Sequence, residues 1–440
     1  IVVSVTPSEF TRSSFSGFAP HLHSGQLLVS ATKGIEDATC LRMTQVIAEV
    51  LSGRGLQLSC GVLSGPSFAQ EVAAGAPTAI MEEPMLRAYM PYRTSSETYP
   101  SDTPGRWIAE TRWPPAGIRG RTWYLQEGRL SPAPGARGEA RYVGDDIVGL
   151  QKPEWLPFPP QGIPGEQTSD DRKSLVFDTD PLASDLEILG HPVARIRVAA
   201  DQPVAKLALR LCEVNREGKS WLVTYGLLNL THRGGDEAPA ALNPGEAYDV
   251  TVELSLIAHR FKAGSRIRLA VSESLWPLVW PSPRVATLTL THGASSLELP
   301  VRAVVREPPF PIPQNAAQHK SPPGRTPLKE SGPNAEGWYE IDQDPQAVSY
   351  PIADTGTLLS GALGIKERLR IKRGDNNSCE WQGERAGGFK RGDWNCAVYS
   401  GFKLTSTPET FFIEETVRAT EGGEVIFERI NKAAVKRDLM

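Results

Sequence analysis

The first 81 residues alternate between short apolar runs and segments whose apolar residues recur at helical spacing. Met43, Val46, Ile47 and Val50 mark one face of a helix. A less regular set between Phe10 and Leu22 indicates an earlier helix. Around these helices we predict three short strands, at Ile1–Val5, Gln26–Ala31 and Gly61–Leu63. Strands that alternate with helices form a parallel sheet with right-handed crossovers.

From Glu82 onward the pattern changes to a period of two, which is typical of half-buried antiparallel strands. Val250, Val252, Leu254 and Leu256 fall on one face of a predicted strand, with polar residues between them. Similar segments predict strands at Trp107–Glu110, Thr122–Leu125, Ser174–Asp178, Ala194–Ala199, Ala205–Val214, Ser220–Leu230, Tyr248–Leu256, Ser265–Ser272, Ala286–Thr291 and Leu297–Val301. Many short strands separated by Gly and Pro turns predict an antiparallel β-sandwich of jelly-roll type.

Residues 304 to 336 are rich in Pro and have no hydrophobic period, which predicts a long surface loop or extended arm. Strand patterns then resume at Trp338–Ile341, Arg368–Lys372, Ala397–Ser400, Phe411–Ala419 and Val425–Arg429. We predict that the last two form a hairpin around Glu421-Gly-Gly423. The predicted domains are an α/β segment at 1–81 and a β-sandwich at 82–440 that carries the Pro-rich loop.

Composition supports a boundary at this point, because all 10 Trp and all 10 Tyr residues lie after Met81. A net charge of −4 leaves no basic surface for nucleic acid or an anionic membrane. No apolar run approaches the roughly 18 residues that a bilayer requires. The five scattered cysteines form no CxxC pair, which favours a reducing compartment and a cytoplasmic protein. The chain begins with Ile1 rather than Met, which suggests a fragment or a mis-started reading frame, with processing as the alternative.

Two loops of the first segment follow predicted strands, where open parallel sheets bind ligands. Lys33 lies in the loop Ser30–Glu36, where a lysine can meet a phosphate or a carboxylate. In the second loop, Leu63–Val72, Gly65 permits a close backbone approach and Ser67 can bind an anion or cap a helix. For each loop alone, a solvated lysine and an ordinary helix cap are the more economical interpretations.

Taken together, the strings LLVSATKGIE and LSGPSFAQEVAAGAPTAI resemble the nucleotide-binding domain of bacterial NAD(P)-dependent glycerol-3-phosphate dehydrogenase. The resemblance implies a partial Rossmann-type segment. It also implies that Lys33 contacts substrate and cofactor, that Gly65 and Ser67 belong to the substrate-phosphate loop, and that Ala69 contacts the cofactor. The fingerprint G-x-G-x-x-G is missing, so we expect no tight cofactor binding; NAD(P) would bind only if the segment were complete.

Hydrolytic machinery is not evident from the sequence. The nucleophile elbow G-x-S-x-G does not occur. The histidines, including His259 at a predicted strand end, are expected to be surface or turn residues. The acidic pairs Asp145-Asp146 and Asp170-Asp171 are expected to be solvated turn residues, and no metal site is predicted. The sequence therefore predicts no catalytic residue in this chain.

The strings DRKSLVFDTDPLASDLEILGHP (171–192), LLNLTHR (227–233) and FKAGSRIRLAVSESLWPLVWPSP (261–283) resemble the C-terminal domain of the X-Pro dipeptidyl-peptidase and cocaine-esterase (CocE/NonD) group of serine hydrolases. The resemblance covers about residues 82–440 and implies a jelly roll, galactose-binding-like, whose catalytic triad lies in a preceding α/β-hydrolase domain. That domain, or another subunit, is then the expected partner. Trp276 and Trp280 lie between prolines and are either packed residues or the face that docks on this partner.

The fold class predicted from these observations is mainly β, an antiparallel sandwich preceded by a small partial α/β segment. Three functional hypotheses are consistent with the sequence: a non-catalytic binding module, a hydrolase of peptide or ester bonds, and a remnant that binds a cofactor or glycerol phosphate through residues 1–81.

Overall fold

A computed structural model describes residues 2–4, 6, 8–30, 32, 36, 39, 41–56, 58–62, 84–92, 104–150, 166–303, 329–345, 347–362 and 365–440. The chain divides into two compact units, Ile1–Glu83 and Pro84–Met440. The first unit is α/β and the second is built of antiparallel strands, so the predicted fold class is confirmed.

The first unit contains a three-stranded parallel sheet and two helices. The strands β1 (Val2–Ser4), β2 (Leu27–Ser30) and β3 (Ser59–Val62) pair in that order. Helix α1 (Thr11–Phe18) joins the first two and α2 (Met43–Ser52) lies between the second and third, with short 3-10 turns at Ser8–Phe10 and Ala19–His21. The helices bury Phe15, Ile47 and Leu51 in one apolar cluster with Leu28 of the sheet. This burial explains the apolar spacing from Met43 to Val50 on which the helix was predicted.

The second unit begins with a two-stranded sheet and continues into a large sandwich. The first sheet consists of β4 (Leu86–Pro91) and β5 (Gly105–Glu110). The sandwich strands are β6 (Ile118–Gln126), β7 (Arg129–Ser131), β8 (Gly138–Val143), β9 (Leu175–Asp178), β10 (Leu186–Gly190), β11 (Val193–Ala200), β12 (Lys206–Val214), β13 (Ser220–Asn229), β14 (Ala247–Glu253), β15 (Ile257–Phe261), β16 (Arg266–Ser272), β17 (Thr287–His292) and β18 (Ser296–Arg302). A single-turn helix α3 (Thr168–Asp171) precedes β9, and a 3-10 turn (Leu230–His232) follows β13.

Hydrogen bonds link these thirteen strands into one network that folds into two layers. The order β13-β12-β16-β9 forms one layer, and β6-β18-β11-β17-β8 forms the other, with β14 beside β11 and β10 between β15 and β18. A single parallel pairing, between Arg129 of β7 and Asp178 of β9, connects the layers. Apolar residues of both layers, such as Leu209, Leu269 and Ile196, meet in one buried core. The period-two pattern is the direct signature of this arrangement.

The alternation predicted at β14 is present but shorter than expected. Val250 and Val252 are buried while Thr251 and Glu253 are exposed, and Leu254 is buried just after the strand. Leu256 was assigned to the same buried face and is instead 51% exposed. β14 ends at Glu253, so residues after it are no longer held in the extended pairing that directs alternate side chains to opposite faces.

A second, nine-stranded antiparallel sheet follows the sandwich, and we call it the C-terminal sheet. Its strands are β19 (Lys329–Ser331), β20 (Trp338–Gln343), β21 (Ala347–Ile352), β22 (Thr357–Ala362), β23 (Lys366–Lys372), β24 (Asp375–Arg391), β25 (Trp394–Ser406), β26 (Thr410–Glu421) and β27 (Glu424–Lys436). They pair in the order β19-β20-β23-β24-β25-β26-β27, with β22 joining β21 to β24.

The predicted hairpin at the end of the chain is confirmed. Glu421 of β26 pairs with Glu424 of β27, and the two residues between them are Gly422 and Gly423. Both have positive φ, at 59° and 93°, as the two-residue turns that match the twist of a hairpin require. Of the predicted Pro-rich loop, residues 304–328 lie outside the described residues. No helix in the described part of the chain is long and apolar enough to cross a membrane.

Candidate functional site

The predicted N-terminal site residues cannot be placed, because Lys33, Gly65, Ser67 and Ala69 lie outside the described residues. The connection from β1 to α1 has the sequence Val-Thr-Pro-Ser-Glu-Phe and contains no glycine that would let a pyrophosphate approach the backbone. The residues of this connection therefore do not fit the cradle that a dinucleotide needs.

The two tryptophans proposed as an interface lie between the sandwich and the C-terminal sheet. Trp276 is only 1% exposed and packs in a cluster with Ile147, Ile371 and Cys379. Its indole Nε1 donates to the Cys379 Sγ at 3.3 Å. Trp280 is half-buried beside the same cluster. The loop after β16 thus inserts its aromatic residues against a second part of the same chain.

Trp280 strengthens this intramolecular contact. Its Nε1 donates to Ser406 Oγ at 3.0 Å, and its ring meets the ring of Phe411 edge-on with centroids 6.0 Å apart. Docking of Trp276 on a separate hydrolase domain would require this buried contact to open. The structure therefore corrects the expectation of an exposed docking face: Trp276 and Trp280 form an interface, but with the C-terminal sheet of their own chain.

Polar contacts surround the tryptophans. Asp145 Oδ2 lies 2.6 Å from Arg373 Nη2, and Asp146 Oδ2 accepts the Gly374 N–H at 2.9 Å. Asn376 Nδ2 donates to the Ser282 carbonyl at 2.8 Å. The buried guanidinium of Arg437 donates to Ser406 Oγ and to the Pro281 carbonyl.

The chain terminus adds a further link, since the Leu439 carbonyl accepts from Asn229 Nδ2 at 2.8 Å and from Thr231 Oγ1 at 2.7 Å. Together with the polar contacts around the tryptophans, these hydrogen bonds join the turns of the C-terminal sheet to the sandwich over an extended surface. Within this interface, burial raises the pKa of Asp146 to about 6.

The nearest approach to an activated nucleophile is a buried cluster that the sequence did not reveal. Ser282 Oγ donates to Glu273 Oε1 and accepts from Lys206 Nζ at 3.0 Å. Burial lowers the pKa of Lys206 to about 8 and raises that of Glu273 to about 7. Ser282 is 1% exposed, and its hydroxyl already donates one hydrogen bond and accepts another. A substrate carbonyl has no access to this oxygen, so the cluster is structural.

The acidic pairs predicted to be solvated are largely buried, and this expectation was wrong for Asp146, Asp170 and Asp171. Asp170 Oδ1 lies 2.7 Å from Lys173 Nζ, and its Oδ2 accepts the Gly149 N–H at 3.0 Å. Protein partners replace water around these carboxylates: Lys173 is close to Asp170 in sequence, whereas the partners of Asp146 and Asp171 are distant.

Asp171 shows this pairing most fully. It lies 3.0 Å from Arg210 Nη1 and 2.9 Å from Arg268 Nη1. Arg268 also contacts Asp178 at 2.7 Å. This network joins α3 to β12, β16 and β9 inside the sandwich and leaves no carboxylate pair directed at a ligand.

The histidine expectation also needs one correction. His259 is 7% exposed rather than a surface residue, and its Nε2 lies 2.9 Å from Glu213 Oε2. Burial opposes ionisation of Glu213, but the interaction with His259 and the hydrogen bonds from the Lys262 N–H and Ser265 together outweigh it and hold the pKa of Glu213 below its usual value.

The other histidine side-chain contacts in the described part are with the Leu254 carbonyl, Glu253 and Asp236. None of these contacts involves a serine, so the described residues contain no Ser–His pair that could begin a triad. They also contain no group of three or more His, Cys, Asp or Glu residues placed to hold a metal ion.

An open groove of about 580 Å³ lies on the C-terminal sheet and is lined by charged and aromatic residues, among them Arg368, Glu384 and Phe402. Two of its charged side chains already have partners: Arg368 Nε is 2.8 Å from Asp342 Oδ1, and Glu384 accepts from Tyr399 at 3.1 Å. These paired charges do not specify a ligand for the groove.

Comparison with known families decides the assignment of the sandwich, whose described residues contain no Ser–His pair. The model of the X-Pro dipeptidyl-peptidase C-terminal non-catalytic domain matches residues 78–322, which is more than half of the chain. The chain belongs to this family. The match includes every strand of the sandwich and ends before the C-terminal sheet at 329–436.

The first unit has a different relationship. The N-terminus of NAD-dependent glycerol-3-phosphate dehydrogenase matches residues 1–83. The glycerol-3-phosphate dehydrogenase [NAD(P)+] of Acidobacterium capsulatum is 59% identical over 81 residues, which is 18% of this chain and 24% of that protein. The protein of the same name from Koribacter versatilis is 54% identical over 80 residues, again 18% of this chain and 23% of the relative. The chain thus spans about a quarter of the length of these curated relatives.

Parts of the chain also align with solved structures, at low similarity. An aminopeptidase from a marine sediment archaeon, Thaumarchaeota archaeon, aligns with a TM-score of 0.46 and 18% identity over 66% of this chain and 57% of that one. A CocE/NonD family hydrolase from Staphylococcus aureus aligns with a TM-score of 0.41 and 15% identity over 66% of this chain and 51% of that one. Scores of this size support no functional conclusion.

Proposed function

We propose that this chain is the non-catalytic β-sandwich part of an X-Pro dipeptidyl-peptidase or CocE-type serine hydrolase, joined to a truncated dehydrogenase segment. The observation that carries the proposal is the family match over residues 78–322, which covers the sandwich. Within it, the buried Ser282, His259 and Asp171 are engaged in structural contacts. In this proposal the chain supports hydrolysis of peptide or ester bonds only together with a separate α/β-hydrolase domain.

The proposed partner contact uses a surface of the sandwich other than the loop at Trp276 and Trp280, because the C-terminal sheet already covers that loop. The odd and scattered cysteines, of which Cys212 and Cys379 are buried and not disulfide-bonded, favour a reducing compartment. A cytoplasmic location is therefore part of the proposal.

A reconstitution experiment tests this function. The full chain is mixed with the catalytic part of an X-Pro dipeptidyl-peptidase from which its own C-terminal domain has been removed. We expect a complex by gel filtration and increased turnover of a chromogenic Xaa-Pro amide, with no turnover by the chain alone. Turnover by the chain alone, or failure of the two parts to associate, would contradict the proposal.

The second candidate is a remnant that binds NAD(P) or glycerol phosphate through the first unit, favoured by the 59% identity to a dehydrogenase over 81 residues. Titration calorimetry with NADP⁺ and with glycerol 3-phosphate distinguishes it, with Lys33→Ala as the matched variant. Binding by the unaltered chain that is lost in Lys33→Ala would support this candidate, and no heat in either case is the result expected from the missing glycine-rich turn.

A further inference from the structure

The last strand of the C-terminal sheet has one open edge. β26 pairs with β27 along its length, from Thr410 opposite Lys436 to Glu421 opposite Glu424. Among the strands that the structure describes, none pairs with the other side of β27. All 13 residues of β27 are exposed. Long unpaired strands of this kind are templates for pairing with another strand.

The direction of the backbone groups at this edge follows from one hydrogen bond. Arg437 N–H donates to the Glu409 carbonyl at 2.7 Å, so this pair is of the hydrogen-bonded type. Hydrogen-bonded and non-bonded pairs alternate along antiparallel strands, and the register has no shift between Lys436 and Phe427. Residues 428, 430, 432, 434 and 436 therefore direct their N–H and C=O groups to the open edge.

The sequence of β27 is complementary to itself in one antiparallel register. When Ile430 lies on a two-fold axis, Glu428 faces Lys432 of a second copy, and the symmetry repeats this pair. This register also pairs residues 427–433 of the two copies, all of which lie in the part of β27 that has no register shift. Opposite charges placed directly across two strands stabilise them.

Neighbouring registers lack this complementarity. An axis at residue 428, 429 or 432 places Glu428, Arg429 or Lys432, respectively, against its own copy, and like charges directly opposite each other are destabilising. An axis at 431 places Lys432 opposite Ile430 and leaves neither lysine facing a glutamate. The charges of β27 thus select one partner geometry.

We propose that two copies of this chain associate through antiparallel pairing of β27 with β27, with Ile430 on the two-fold axis. The pairing brings Phe427 and Ile430, which are 50% and 56% exposed, next to side chains of the second copy. Glu428 and Lys432 contact Arg418 and Glu414 of their own sheet at 2.7 and 2.9 Å but keep 40% and 69% of their side-chain surface exposed. They remain accessible to the second copy.

Sedimentation velocity of the full 47.9 kDa chain over a range of concentrations measures the association. We expect a reversible monomer–dimer equilibrium. Glu428→Lys and Lys432→Glu should each weaken it by about 10-fold, because each change turns two attractive cross-strand pairs into repulsive ones. The double variant E428K/K432E should return to within about 3-fold of the unaltered chain, since the charges across the axis are again opposite.

The double variant distinguishes association from effects within one chain. Inside a single sheet it places the substituted lysine beside Arg418 and the substituted glutamate beside Glu414, so purely intrachain effects would add rather than cancel. The matched control is Lys366→Glu, which breaks an exposed ion pair of the same sheet with Glu384 at 3.4 Å but lies away from the edge, and it should leave the equilibrium unchanged.

Cysteine cross-linking provides a second readout that does not depend on charge. In the proposed dimer, Ile430→Cys meets its own copy at a Cα separation of about 5.5 Å, within the range of a disulfide. Ala434→Cys lies on the same edge, but its copy is about eight residues away, roughly 26 Å. Oxidation should yield a covalent dimer for Ile430→Cys only. A monomer at all concentrations, equal cross-linking of both variants, or additive effects in the double charge variant would overturn the proposal.

Discussion

Truncation of Trp276 to alanine probes the contact between the sandwich and the C-terminal sheet. The ring is 1% exposed and its Nε1 donates to Cys379 Sγ. Removing a fully buried aromatic side chain costs about 3–5 kcal/mol when the surroundings do not collapse. If this loss is confined to the interface, the equilibrium for opening it rises by about 10²–10⁴-fold, at roughly 1.36 kcal/mol per factor of ten.

Native-state thiol labelling measures this opening directly. Cys379 is 1% exposed and its burial raises the thiol pKa to about 12, so it reacts only when the interface opens. Cys212, which is fully buried in β12 of the sandwich, reports opening of the sandwich itself. In Trp276→Ala we expect the labelling rate of Cys379 to rise by about 10²–10⁴-fold while that of Cys212 changes little.

Two further variants separate opening from direct uncovering of the thiol. Ile371→Ala lies in the same cluster on the C-terminal sheet, keeps the indole in place and should also accelerate Cys379 labelling, because its truncation lowers the free energy of opening by about 2–5 kcal/mol. Trp113→Ala is the matched control, since Trp113 also precedes a proline but is 40% exposed. A Cys379 rate that changes less than about 3-fold in Trp276→Ala, or equally in Trp113→Ala, would refute the reasoning.

Three other predictions concern the same unit. Asp171→Ala leaves two arginines without their shared carboxylate and should lower the free energy of unfolding by about 3–5 kcal/mol in guanidinium titration; a loss below about 1 kcal/mol would contradict the ion network. Burial raises the pKa of Asp146 from 3.8 to about 6, so the protonated carboxyl contributes stability that is fully present below pH 3.8 and is lost as the pH rises through 6. Asp146→Asn should flatten that part of the curve of unfolding free energy against pH. An unchanged slope would contradict this prediction. Gly149 has φ of 113° and no room for a Cβ beside the Trp276 backbone, so Gly149→Ala should lower the melting temperature, whereas Gly218→Ala, with positive φ but open space, should lower it less.

Much of the fold could be predicted from sequence because its strands bury one face. Local sequence is enough to predict the strand at Val250 and Val252, from its alternation, and the turn at Gly422-Gly423, from its two glycines. β24 was not predicted, because its 17 residues are polar and rich in glycine and show no period of two. Residues 186–190 form a strand that is buried on both faces, so it also lacks alternation.

The buried polar groups were missed for a different reason. Asp171 pairs with Arg210 and Arg268, and His259 contacts Glu213, which lies 46 residues earlier. A carboxylate in a turn-like segment looks solvated until a distant arginine is brought beside it by the sheet order. The burial of Trp276 likewise depends on the C-terminal sheet, whose position over the loop has no local signal in the sequence.

The central proposal, that this chain is the non-catalytic part of a serine hydrolase, is tested most directly by labelling the full chain with a fluorophosphonate probe and mapping any modified serine by mass spectrometry. Ser282→Ala serves as the matched variant, because Ser282 lies beside both a lysine and a glutamate. The account predicts no saturable labelling of either protein. Stoichiometric, saturable labelling of one serine, whether at Ser282 or elsewhere, would contradict it.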